Sequence, residues 1–126
     1  MLDMWNDLKK VKRLNFRGGV QLTTKPQITF RKNNISLNGA FMEKVRGMVG
    51  VEILHSKERR AVVLRFLSNK TEGSYSLVGG KKSQARYVRA KRLYDDFPGA
   101  TLLIGAPKKP ELLADRGTEQ DWVVFV

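Results

Sequence analysis

The chain has no cysteine and a single histidine, His55. Disulfide scaffolds, thiolate chemistry, structural zinc and Ser/His or Cys/His nucleophile pairs therefore have almost no material to work with. No apolar run approaches the roughly 20 residues that a membrane-spanning helix needs. Asp3 and Asp7 stand where a secretory signal would carry basic residues and then an apolar stretch. Acidic side chains are also scarce, with 12 Asp and Glu against 24 Lys and Arg, a net charge of +12. These absences predict a protein that is not an enzyme, needs no cofactor or metal, has no membrane partner and resides in the cytoplasm, nucleoid-associated if bacterial. The charge predicts an acidic partner.

What is present fits one domain: 126 residues, 41% of them apolar, are enough for a single core and too few for two ordinary ones. The charge is uneven along the chain. Residues 1–94 hold 21 basic and 6 acidic side chains, whereas residues 95–126 hold 3 and 6. Such a division predicts a polyanion-binding face and a nearly neutral remainder; a solvated basic surface relieved by an acidic tail would look similar.

Met1, Met4, Trp5, Leu8, Val11 and Leu14 recur at helical spacing, with acids early and Lys9, Lys10, Lys12 and Arg13 late, as the helix dipole favours. A helix is predicted over residues 2–13, within an N-terminal segment 1–17 that Gly18-Gly19 separates from a β-rich domain over 18–126. Trp5, Leu8, Lys9, Lys12 and Arg13 are its candidate partner-binding residues. From Val20 onward short β-rich runs are expected at 20–24, 27–31, 35–37, 51–55, 61–66, 74–78 and 85–89. The apolar runs 101–105 and 122–126 read as buried strands. Two short helices interrupt them. Asn38 caps the first, with Phe41, Met42, Val45 and Met48 on one face, and the second spans about Ala90 to Phe97 before Pro98-Gly99. Each helix follows a strand and precedes a hairpin, which suggests a β-α-β-β unit used twice, over 27–66 and 74–126, offset by about 52 residues. The expected fold class is mostly β with short helices (α+β), a small barrel of two such units preceded by the amphipathic helix.

The stretch from Gln27 to Asn38, the helix to Met48 and the runs 51–55 and 61–65 resemble the AbrB/SpoVT family of swapped-hairpin DNA-binding proteins over about 40 residues. The resemblance implies interlocked hairpins in a small barrel that presents basic side chains to DNA. The family usually has Ile-Pro where this chain has Leu37-Asn38, and a basic helix residue where this chain has Met42-Glu43. Its DNA-contacting arginines therefore do not transfer position by position.

The densest basic stretch runs from Lys81 to Tyr94 and offers Lys81, Lys82, Arg86, Arg89, Lys91 and Arg92 to phosphates, each neutralised phosphate steepening the salt dependence of binding. Strict alternation along a strand puts Arg86 and Arg89 on opposite faces. Lys57, Arg59 and Arg60 sit at a predicted hairpin tip, and Arg31 and Lys32 in a turn with Asn33-Asn34. Gly79-Gly80-Lys81-Lys82-Ser83 lacks the spacing of a phosphate-binding loop, Asp95-Asp96 do not converge, and Asp115, Glu119 and Asp121 read as a solvated turn. His55 reads as a structural histidine. Two functions remain: a nucleic-acid-binding protein, duplex DNA before RNA, acting as transcription regulator or architectural protein; or a phage-like adaptor or inhibitor whose basic face binds an acidic surface or the nucleic-acid channel of a larger enzyme, with the N-terminal helix as a further anchor. Either works as monomer or homodimer.

Overall fold

The computed structural model describes residues 25–79 and 84–126. The segments 1–24 and 80–83 lie outside it, and with them the N-terminal helix, Trp5, Leu8, Lys9, Lys12, Arg13, the strand expected at 20–24, and Lys81 and Lys82.

β1 (Ile28–Phe30) and β2 (Asn34–Leu37) form a tight hairpin, and α1 (Gly39–Lys44) follows at once. Asn38 makes that junction: its Oδ1 accepts from the Phe41 amide at 2.9 Å and the Gln27 amide at 3.1 Å, and its Nδ2 donates to the Lys25 carbonyl at 2.8 Å. One side chain thus caps a helix and ties the entering chain to it. β3 (Gly50–Ser56) and β4 (Ala61–Leu67) make a long hairpin, and β5 (Tyr75–Ser76) returns to the start of β3. β6 (Arg86–Arg89) leads into α2 (Lys91–Asp96), a 3-10 helix over Pro98–Leu103, and the hairpin of β7 (Glu111–Asp115) and β8 (Glu119–Phe125).

The strands form two sheets, β1-β2-β6 and β5-β3-β4-β8-β7. No closed barrel forms among the described residues, contrary to the sequence expectation. The inward positions explain why. Ile28, Phe30, Ile35, Leu37 and Val88 on the small sheet and Val51, Val62, Leu64, Phe66, Trp122 and Val124 on the large one join Phe41, Val45, Leu93 and Phe97 in one buried cluster. The core is therefore a filling between two open sheets and two helices, the layered solution rather than the closed one. Phe41 is its hinge-pin, 5.4 Å from the Phe66 ring and 5.0 Å, edge-on, from Trp122.

Strand pairing is symmetric in element order. β2 pairs with β6 antiparallel, Asn34 opposite Arg89 and Leu37 opposite Arg86, and β4 pairs with β8, Val62 opposite Val124 and Leu64 opposite Trp122. The succession strand, helix, hairpin occurs on each side of both pairings. Helix positions match at an offset of 52, Phe41 and Leu93 both buried, whereas the inward strand positions Ile35 and Val88 match at 53.

The run 101–105, expected as a strand, is instead the end of the 3-10 helix and a single bridge from Ile104 to Phe30. Pro98 starts a turn of helix, and only Ala100 and Leu103, spaced by three, face the core, while Leu102 is 69% exposed. β7 was not expected at all.

Candidate nucleic-acid interface

α2 is the element around which basic side chains collect. Its sequence provides no side-chain cap, and Ala90 at the capping position donates its amide to the Asn33 carbonyl at 3.2 Å instead. Tyr94, one turn on, donates its hydroxyl to the Arg31 carbonyl at 2.7 Å. Burial raises the Tyr94 phenol above its ordinary range, so it stays protonated and a donor. These two bonds fix the β1–β2 turn, with Arg31 and Lys32, against the β6–α2 junction, with Arg89, Lys91 and Arg92. Arg89 lies opposite Asn34 on the outer side of the small sheet, and Arg31 Nε donates to Ser36 Oγ at 3.1 Å on the same side.

The other side of α2 meets the end of β3. His55 stacks on Phe97 with ring centroids 5.2 Å apart and planes 16° off parallel. The next residues form the β3–β4 turn carrying Lys57, Arg59 and Arg60. Ser56 Oγ accepts from the Arg59 amide at 3.1 Å, and the Val126 amide donates to the Arg60 carbonyl at 2.8 Å, so the turn is held at both ends. Between β3 and α2 lies a cleft of about 240 Å³ lined by Ile53, His55, Tyr75, Arg92, Leu93 and Asp96.

Eight cations thus lie at the start of α2 and on the two turns that Tyr94 and Phe97 tie to it: Arg31, Lys32, Lys57, Arg59, Arg60, Arg89, Lys91 and Arg92. All are exposed, and none makes an ion pair among the described residues. Glu58, Asp95 and Asp96 are the acids in their midst. The ion-paired arginines lie elsewhere. Arg46, just past α1, pairs with Glu43 in its last turn, and on the outer side of the large sheet Asp121 binds Arg65 at 2.8 Å and Arg116 at 3.0 Å, with Glu52 and Glu119 alongside.

That last group corrects the reading of Asp115, Glu119 and Asp121 as one solvated turn. Asp115 does belong to a turn, accepting from the Gly117 amide at 2.9 Å, but Asp121 is 5% exposed and central to a strand. Burial alone would push its carboxyl up; hydrogen bonds and charges from Arg65 and Arg116 outweigh that and hold it below the usual carboxylate range. Among the described residues no group of three or more His, Asp or Glu is placed to hold a metal ion.

Arg86 does not join the cations around α2. It sits opposite Leu37 at the far end of β6 from Arg89, bonds the Ala85 carbonyl at 3.1 Å, and lines a separate cavity with Met42, Met48, Leu77 and Gln84. The stretch read in sequence as one continuous contact is therefore divided. Conversely, His55, Tyr75 and Asp96 meet Arg92 in one cleft although 41 positions separate His55 from Asp96; the pairing of exposed histidine with a helix aromatic carries no local sequence signal. Comparison with protein-family models, with curated proteins and with solved structures finds no match to this chain. No helix among the described residues is long and apolar enough to cross a membrane.

Proposed function

We propose that this protein binds nucleic acid, duplex DNA first, through phosphate contacts from the cations around α2. The observation that carries the reading is that, among the described residues, those eight exposed side chains have no ion-pair partner, while Arg46, Arg65 and Arg116 have theirs. Among the described residues only Arg31 of these cations makes a side-chain hydrogen bond, to Ser36 Oγ; the others, held at two turns and a helix start, meet phosphates without giving up an ion pair, and they release the counterions condensed there. The resemblance to swapped-hairpin DNA-binding proteins over 27–66 supports the same reading, and the repeated order of strand, helix and hairpin supports descent of 27–66 and 74–126 from one duplicated unit.

The test is a titration of duplex DNA at several salt concentrations. Affinity should fall steeply with salt. Replacing Arg89, Lys91 and Arg92 with Gln should weaken binding and reduce the log–log slope by about two to three, close to one per lost phosphate contact. Replacing Arg46 should do neither. A flat salt response, or no binding in low-salt buffer, sinks the proposal.

A second reading, an adaptor that docks on a larger protein, is favoured by exposed apolar side chains of the β7–β8 hairpin. Leu113 is 62% exposed on the edge strand β7, and Phe125 is 56% exposed opposite Ala61, next to the turn that carries Arg60. Under that reading charge reversal around α2 and the pair Leu113→Lys and Phe125→Lys both weaken docking on the acidic protein surface, and duplex DNA binds weakly or not at all.

A further inference from the structure

We infer that the cleft between β3 and α2 receives one unpaired guanine base of the bound strand, its ring against His55 and its Watson–Crick edge on Asp96. The inference rests on the nucleic-acid reading and specifies what that surface recognises beyond phosphate.

Three observations point this way. The first is shape: at about 240 Å³ the cleft falls below the ~300–1,000 Å³ that encloses a whole drug-sized ligand, and Ile53 and Leu93 in its lining offer apolar contact to a flat ring. The second is the wall. Phe97 backs one face of the His55 ring at 5.2 Å, and His55 is nevertheless exposed, so its other face is open for a base to stack on. The third is charge. Asp96 stands in the cleft amid cations, yet makes no ion pair among the described residues.

A carboxylate repels a phosphate and accepts hydrogen bonds only, so the Asp96 side of the cleft is built for a neutral group that donates. Among the bases, guanine places two adjacent donors, N1–H and the N2 amine, where a carboxylate can take both. Adenine and cytosine put an acceptor nitrogen beside their amine, and thymine and uracil flank one N–H with two carbonyls. Each of these sets an acceptor against a carboxylate oxygen. The phosphates on either side of the base then fall to Arg92, Lys91 and the Lys57–Arg60 turn at the rim. In a paired duplex the guanine edge is occupied, so the cleft selects an unpaired base in a single strand, a bulge or a flank.

The experiment measures fluorescence anisotropy of labelled oligomers of about twelve nucleotides, within the span that single-strand grooves cover. The set is oligothymidylate, the same oligomer with one central guanosine, adenosine or cytidine, ribose versions of each, and a fully paired duplex. The guanosine oligomer should bind at least about five-fold tighter than the other three, as one stacked and hydrogen-bonded base provides. The ribose series shows whether the sugar matters to that preference. Asp96→Asn should abolish the preference while oligothymidylate binds as well or better, because a negative charge leaves a basic surface. His55→Ala should weaken guanosine binding about five-fold or more, and His55→Phe, which keeps the stack on Phe97, should restore it. Oligothymidylate binding with no guanosine preference, or a preference that survives Asp96→Asn, overturns the inference. If folded protein binds no probe at low salt, duplex included, the nucleic-acid reading itself falls.

Discussion

Asn38 and Asp121 each satisfy several partners with one small side chain, and their replacement should cost more than a single contact. Asn38→Ala removes a helix cap and two bonds to the entering strand, and should lower stability by about 2 kcal/mol, at the upper end of cap losses. Chemical denaturation with an unchanged slope would check it. Asp121→Asn leaves Arg65 and Arg116 facing a neutral amide. Both guanidiniums remain partly in water, so about 1–2 kcal/mol is expected rather than the several of a fully buried pair. The sign of its pH dependence follows from the lowered carboxyl. Its stabilisation is complete above the unfolded carboxylate value near 3.9 and fades as pH falls through the lower folded value. Melting temperatures of wild type and Asp121→Asn should therefore differ at neutral pH and converge in acid; a constant difference refutes the ion-pair account. Arg60 has φ +54, the left-handed region that favours glycine. Arg60→Gly should hold stability level or raise it while weakening nucleic-acid binding, which separates the charge from the fold.

Among the elements, α2 joins both halves of the basic surface, through Tyr94 to Arg31 and through Phe97 to His55. Tyr94→Phe should cost about 1 kcal/mol of stability and loosen the Arg31 turn. The binding defect should then be smaller than that of removing Arg31 itself, as a side-by-side titration would show. Much of this was legible in sequence because it is local. Asn38 before an apolar helix face, the alternation of 61–66 and the helical spacing of Leu93, Tyr94 and Phe97 each name their element. Other features were not. Glu111–Asp115 shows no alternation because all but one of its residues are exposed on an edge, and a bulge between Leu112 and Ala114 breaks what register it has. The 101–105 run carries apolar residues that face solvent, so hydrophobicity there misleads. The site was half legible: the cations could be named, but only the pairing of Asn34 with Arg89, 55 positions on, shows which of them stand together.

At the scale of the whole molecule, both sheets are finished by long-range pairing, β2 with β6 and β4 with β8. The two halves of the chain thus supply one another's missing strands. Phe41→Ala, at the point where α1 touches Phe66 and Trp122, should cost about 3–5 kcal/mol and unfold both sheets in one transition, since they share a core. Two separate transitions would show that they are independent. The same pairing governs the order of events as the chain folds. Neither sheet can close until strands about fifty or more positions apart have found each other, and the entropy of closing those loops is spent before the contacts repay it. Folding should therefore take milliseconds to seconds, the range of β-rich chains dominated by distant contacts, and not the microseconds of a helical bundle. A chain cut within the turn between β4 and β5 should yield two fragments that are unfolded alone and recover the native Trp122 fluorescence when mixed, each acting as the template on which the other condenses.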